Sequence, residues 1–289
     1  REGRGTVTEP VRTPGSLPWA HLRLPPFPQI ALRVLQVAHD DHAPLQQLCD
    51  LISTDPAFAS EVLTVANSLL YAPRYPSSSI LQAVSILGEK TLQGMCLAVG
   101  VRAYLGKTIG HPAMRLMWRH NLATALIAEQ LAEIGLLDKD VAFTAGILHD
   151  MGRIALAVVQ PRPYAQLLET YRGPAGGILE AERALFGMDH CETGLQLVSD
   201  WNLPIDFESV VFAHHAARRS DGDWSLAELI KTSCRMADTC GYPGFAGCQT
   251  EEYTILLEQL PARERRLFAP DPSALSTKIA IRVAALENT

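Results

Sequence analysis

The sequence has no Cys-x-x-Cys pair, no excess of basic residues, no uninterrupted apolar run of membrane length and no alternating strand pattern. Each absence removes a class of protein. The six cysteines (Cys49, Cys96, Cys191, Cys234, Cys240, Cys248) are scattered through 289 residues, a length that supports a core without staples. They read as buried thiols acting as small hydrophobes in a reduced, cytoplasmic setting. With 25 Lys+Arg against 31 Asp+Glu the formal net charge is −6, which offers no broad footprint for a phosphate backbone. Arg218-Arg219 is a small basic patch that a solvated loop explains, so no nucleic-acid partner is expected. A bilayer span needs about 18 consecutive apolar residues. The promising segment 91–101 is closed off by Lys90 and Arg102, so no membrane partner is expected either. Residues 1–20 lack the apolar segment of a signal peptide and carry Gly3, Gly5, Pro10, Pro14, Gly15 and Pro18; they read as a linker. A start at Arg1 rather than Met raises the expectation of a domain upstream.

What the chain does have is 47% apolar residues, enough for a sizeable core, arranged almost everywhere at helical spacing. The expectation is an all-α fold. After the Pro-rich lead-in Leu24-Pro25-Pro26-Phe27-Pro28, a first helix carries Ile30, Val34 and Val37 on its apolar face. A second is expected over 45–52. Asp55-Pro56, an N-cap followed by a proline tolerated in the first turn, starts a third over 56–70. Ser79 and Gln82 have capping-box spacing before a short helix through Ile86, and a longer apolar helix follows Gly88 to about Leu105. Gly106, Gly110 and Pro112 mark a junction between an N-terminal part, 21–106, and a C-terminal part, 107–289. Further helices are expected near 114–134, 140–159, 164–172, 177–185, 189–201, 204–216, 226–238 and 273–286. Trp118 and Trp201 read as core anchors rather than cofactor stackers.

Five of nine histidines, His120, His149, His190, His214 and His215, fall between Met114 and Ala216. Singly, each is most simply a hydrogen-bonded structural residue. As a set they say more. His149-Asp150 lies on an otherwise apolar helix, with Gly152 and Arg153 close behind, and imidazole with carboxylate suits Mn, Fe, Ni or Zn better than Ca or Mg. A second such pair, His39-Asp40, sits in a polar turn where solvation explains it. Spacing separates the two cases.

His120, then His149-Asp150, then Asp238 resembles the His, His-Asp, Asp signature of the HD superfamily of metal-dependent phosphohydrolases. In the N-terminal half, Leu24 to Pro28, Asp55-Pro56-Ala57, Ala66-Asn67-Ser68 and Ala83-Val84-Ser85-Ile86-Leu87-Gly88 narrow the resemblance to the HDOD family, the HD-related output domain of bacterial signalling proteins. Glu182 to His190, Trp201-Asn202-Leu203-Pro204 and Ala213-His214-His215 match as well. The resemblance implies an N-terminal helical part packed on an HD-like part, acting as a signalling output module through a protein partner. By the HD pattern, His120, His149, Asp150 and Asp238 would hold one metal. In the similar two-metal HD-GYP relatives, histidines matching His190, His214 and His215 complete a second site bridged by the residue matching Asp150. One or two transition-metal ions (Fe, Mn, Ni or Zn) are thus implied.

The chemistry is coherent. Two cations about 3.5 to 4 Å apart can activate a bridging water and stabilise charge on a phosphate, and a carboxylate such as Asp150 has two oxygens with which to bridge. Asp150 and Arg153 are the catalytic candidates, Arg153 for a phosphate-containing ligand, although it stands where a lysine is common. Neighbours on a regular helix diverge by about 100°, so His214 and His215 are both ligands only if the metal lies between those directions; otherwise one orients the other. Two features depart from the cyclic-dinucleotide phosphodiesterases: Gly241-Tyr242-Pro243 follows Asp238 instead of the paired histidines, and no glutamate comes soon after His215. Three readings stand: a regulatory module working through a partner, a phosphohydrolase for a nucleotide or cyclic dinucleotide, and a polar core in which the histidines bond only to one another and to carboxylates.

Overall fold

The computed structural model describes residues 27–38, 45–68, 71, 73–135, 137–201, 203, 206–216 and 224–287. The expected linker over 1–20, Leu24-Pro25-Pro26, His39-Asp40, Asn202, Pro204 and Arg218-Arg219 lie outside the described residues.

The fold is all-α. Among the described residues the strands are a single two-residue parallel pair, β1 (Gly173–Pro174) with β2 (Cys248–Gln249). The N-terminal part comprises α1 (Gln29–Ala38), α2 (Leu45–Ser53), α3 (Pro56–Ala66), α4 (Ile80–Leu87) and α5 (Glu89–Leu105). Local chemistry sets their starts. Asp55 accepts the backbone N–H groups of Ala57 and Phe58 at 3.0 and 3.1 Å, capping α3. Ser79 accepts the Gln82 N–H at 3.2 Å, while the Gln82 side chain reaches back to the Ser78 N–H at 2.9 Å, one residue earlier than a capping box has it. Helix α3 stops at Ala66 instead of reaching residue 70, and the Asn67 side chain exchanges two hydrogen bonds with the Ser77 backbone, which pins the following loop.

Helix α5 is buried continuously from Leu92 to Val101, which explains why it is apolar around its whole circumference. At Gly106 the chain takes φ 49°, a left-handed conformation that glycine adopts without a Cβ penalty, and a 3₁₀ turn leads into the second part. That part contains α6 (Pro112–Gly135), α7 (Lys139–Leu148), α8 (Met151–Val159), α9 (Pro161–Thr170), α10 (Ile178–Phe186), α11 (His190–Asp200), α12 (Asp206–Ala213) and α13 (Leu226–Thr239). Helices α14 (Tyr253–Glu258), α15 (Ala262–Leu267) and α16 (Pro272–Glu287) close the chain; α14 and α15 had no counterpart among the expected helices. One apolar core runs through both parts: α5 packs on α7 and α8, and Phe27 meets Tyr104 and Trp201 at ring distances of 5.4 and 4.7 Å. Trp118 is fully buried, as a core anchor should be.

Two departures from expectation shape the site. The single helix expected over 140–159 is broken at His149-Asp150, where Asp150 takes φ −100°, ψ 22°. The run Lys139–Val159 has the length and apolarity of a membrane span, but 83% of its most apolar window is buried inside the protein. The helix expected over 204–216 ends at Ala213, so His214 and His215 lie in the turn beyond it. Two glycines allow the close packing that holds this arrangement. A Cβ on Gly146 would stand 2.4 Å from the Cα of Ala125 on α6, and one on Gly152 would stand 1.8 Å from the His190 carbonyl oxygen at the start of α11.

Candidate metal centre

Five helices and one turn converge on the middle of the second part. His120 comes from α6, His149 and Asp150 from the break between α7 and α8, His190 from the first residue of α11, His214 and His215 from the turn after α12, and Cys234 and Asp238 from α13. All but His215 are buried; His215 is partly exposed.

The orientation of the rings is set by what each Nδ1 meets. His120 Nδ1 is 2.8 Å from the Tyr242 carbonyl, His149 Nδ1 is 2.7 Å from the Gly146 carbonyl, and His214 Nδ1 is 2.8 Å from the Val211 carbonyl. A carbonyl only accepts, so each of these Nδ1 atoms carries the proton, and in the neutral ring Nε2 is left with its lone pair. His190 Nδ1 donates to Glu182 at 2.6 Å. Glu182 is held by two further donors, the Tyr164 hydroxyl at 2.7 Å and the His190 backbone N–H at 2.9 Å. The four Nε2 atoms turn inward.

Two close groups result. In the first, Asp150, His190, His214 and His215 offer ligand atoms within 4.8 Å of one another. Asp150 Oδ1 lies 3.1 Å from His214 Nε2 and 3.4 Å from His190 Nε2, and the two Nε2 atoms are 3.3 Å apart. The turn after α12, not a regular helix, brings both neighbouring histidines to this group, with ring centres 4.2 Å apart. In the second, His120, His149 and Cys234 meet within the same limit. Asp150 stands between the groups, with Oδ2 3.7 Å from His149 Nε2.

The electrostatics fit a cation. Burial pushes His149 down to about 3 against the pull of Asp150, and it also lowers His214 and His215, so these rings are neutral donors. Burial opposes a charge on His190 too, but Glu182 outweighs it and lifts His190 to about 10. Burial disfavours the Asp150 carboxylate, yet Arg153 and His149 hold it well below the usual carboxylate range. Lone pairs facing each other at 3.3 Å require a positive charge between them, either a proton on His190 or a metal ion. His149 Nε2, Asp150 Oδ2 and His215 Nε2 have no hydrogen-bond partner within the protein, so each is open to a ligand.

Asp238 and Arg153 are placed differently from the ring nitrogens. Asp238 belongs to neither close group. Its Oδ1 lies 3.3 Å from His120 Nδ1, the outer nitrogen, and accepts the Gly244 N–H at 3.0 Å. Arg153 is buried behind Asp150, with Nε 3.4 Å from Oδ2 and its guanidinium over the Phe245 ring. Burial works against its charge, and Asp150 with Tyr164 and Glu182 holds it protonated. The centre opens on a cavity of about 460 Å³ walled by His214, His215, Asp238, Lys231 and Arg235 among others, while Arg153 does not line it. Glu182 and Cys234 were not among the expected site residues. Glu182 lies in the matched stretch before His190, and Cys234 lies one turn before Asp238 on the same helix face.

Comparison with known proteins decides the family. The model of the HDOD domain matches residues 24–217. This chain belongs to the HDOD domain family. An uncharacterized protein of Treponema pallidum (strain Nichols) is 26% identical over 200 residues, covering 67% of this chain and 38% of that protein, so the chain spans well under half of its curated relative. Among solved structures, an HDOD domain protein of unknown function from Geobacter sulfurreducens superposes with a TM-score of 0.70 at 21% identity over 93% of each chain. A candidate signal transduction protein of Marinobacter aquaeolei VT8 gives 0.72 at 23% identity, over 93% of this chain and 61% of the other. A candidate metal-dependent phosphohydrolase of Shewanella amazonensis SB2B gives 0.65 at 20% identity, over 93% and 95%. These likenesses establish the shared fold.

Proposed function

We propose that this HDOD chain is a signalling output module, working through a protein partner in the cytoplasm, whose buried centre holds one or two divalent transition-metal ions. One observation carries the reading: His120, His149, His190 and His214 each bind an acceptor through Nδ1 and turn Nε2 toward the interior. Such outer partners fix the tautomer and aim of metal-binding imidazoles. His190, His214 and His215 with Asp150 Oδ1 would hold one ion; His120 and His149 with Asp150 Oδ2 would hold the other. Asp238 would orient His120, and Arg153 would balance the charge of Asp150. Nitrogen and oxygen donors of this kind suit Fe, Mn, Ni or Zn. Six free cysteines support a reduced setting. The test is metal content by mass spectrometry on untagged protein purified without chelator, beside Asp150→Ala. One or two ions in the parent and none in the variant are expected; a metal-free parent removes the reading.

A second reading, hydrolysis of a nucleotide or cyclic dinucleotide, draws support from the cavity, whose volume lies within the range of small-molecule sites. Bound divalent ions supply Lewis-acid charge and an activated water. The chain's own contribution would be to expose His214 and His215 at the cavity wall and to place Lys231 and Arg235 beside an incoming phosphate. Both cations already have a carboxylate neighbour, Glu228 for Lys231 and Glu251 for Arg235, which holds them in place and tempers their charge. Turnover of such substrates with Mn, Fe or Ni supplied, abolished in Asp150→Ala, would select this reading. No turnover by metal-loaded protein selects the binding module.

A further inference from the structure

We propose that the thiolate of Cys234 completes the His120–His149 half of the centre, making it a soft nitrogen-sulfur site that selects zinc, unlike the nitrogen-oxygen half at His190, His214 and His215. The inference rests on the metal-binding reading above and adds a ligand, and a preference, that the His and Asp pattern does not contain.

The geometry supplies three arguments. Cys234 Sγ lies in hydrogen-bond contact, 3.4 Å, with His120 Nε2, the nitrogen that carries the lone pair because Nδ1 donates to the Tyr242 carbonyl. His149 Nε2, fully buried and without a partner, points into the same space, and the three ligand atoms lie within 4.8 Å of one another. Asp150 Oδ2, which pairs with Arg153 at 3.4 Å but accepts no hydrogen bond, is 3.7 Å from His149 Nε2 and offers a fourth donor. Two imidazoles, one sulfur and one carboxylate oxygen form a four-donor set of the tetrahedral type that zinc prefers.

Asp238 does not compete for the position. Cys234 and Asp238 are four residues apart on α13 and share a face, but they approach His120 from different sides. The sulfur meets Nε2, whereas the Asp238 carboxylate meets Nδ1 and is tied down by the Gly244 N–H. Asp238 is therefore a positioning carboxylate for His120, and Cys234 is the donor beside the metal.

A bound dication displaces the thiol proton to solvent and takes the sulfur as a charged ligand.

The experiment is cobalt(II) titration of metal-stripped protein, reading the thiolate-to-cobalt charge-transfer absorption in the near ultraviolet and the zinc affinity by competition with a chromogenic chelator. The parent should show the band. Cys234→Ser, nearly isosteric, should lose it and bind zinc in this half at least about tenfold more weakly, while still taking cobalt through the other half. Asp238→Asn and Cys248→Ser, the latter at the one partly exposed cysteine, should keep the band. Circular dichroism establishes that each variant is folded. Cobalt bound by the parent without a charge-transfer band, or a band that survives in folded Cys234→Ser, overturns the sulfur ligand and leaves the metal centre standing. A parent that binds neither cobalt nor zinc overturns the metal reading itself, and this proposal with it.

Discussion

Glu182 grips His190 twice, taking its backbone N–H at 2.9 Å and its ring Nδ1–H at 2.6 Å through the same carboxylate oxygen. The first contact anchors the start of α11 and the second fixes the ring. One buried side chain thus places both the helix and the ring it carries.

Glu182→Gln should test the electrostatic part of this contact. The amide keeps the size of the side chain but removes the charge that polarises the imidazole, and loss of such an outer partner costs about 10- to 100-fold in metal affinity. Competition with a chromogenic chelator measures it. An unchanged affinity in the folded variant would mean that His190 is not a ligand.

Gly152→Ala addresses the fold of the site rather than its charge. The new Cβ would stand 1.8 Å from a backbone oxygen, which no rotamer change relieves, so α8 must separate from α11. Overpacking of this kind costs about 1–3 kcal/mol and sometimes more. A lowered urea midpoint and diminished metal content should appear together, because Asp150 rides on the start of α8 while His190 opens α11. Parental stability would show that the two helices slide apart freely.

Arg153→Met separates charge balance from catalysis. The guanidinium is the fixed cation beside Asp150, and removing one partner of a buried pair costs about 3–5 kcal/mol when the other charge is left uncompensated. The metal-stripped variant should therefore be much less stable than the stripped parent, while saturating zinc should restore most of the difference, because the ion supplies the missing charge. Chemical denaturation with and without zinc reads both quantities. An equal loss in the two conditions would refute the charge-balancing role.

The histidines and Asp150 were legible because their chemistry is local in sequence: a His-Asp pair on an apolar helix, a pair of adjacent histidines, and a spacing that resembles a known signature. The break at His149-Asp150 was not, because apolar periodicity runs without interruption through 140–159, and the close approach of Gly152 to the His190 carbonyl beside it is a tertiary contact. His214 and His215 were seen as a pair, but their shared aim depends on α12 ending at Ala213. Cys234 passed as a small hydrophobe because burial is what most cysteines do, and only the facing His120 Nε2 distinguishes it. Glu182 sat inside a matched stretch without a role, since its partners Tyr164 and His190 are 18 and 8 residues away. Helix periods and caps carry the architecture; partners that meet only in three dimensions do not announce themselves along the chain.

Metal removal should be felt by the whole second part of the protein. The candidate ligands come from α6, the α7–α8 break, α11, the turn after α12 and α13, so an ion at the centre would tie these elements together. A ligand that binds only the folded state stabilises it by about 2.7 kcal/mol at a hundredfold excess over Kd. Thermal unfolding should therefore shift upward with free zinc and continue to rise as its concentration increases beyond Kd, and a chelator should reverse the shift. Asp150→Ala, which deprives both halves of their shared carboxylate, should show no zinc-dependent shift at the same concentrations. Cys234→Ser should retain part of it, through the half that keeps its ligands. If the parent's unfolding temperature is indifferent to zinc and chelator alike, the inward-facing nitrogens hold only protons, and the buried centre is a hydrogen-bonded polar core.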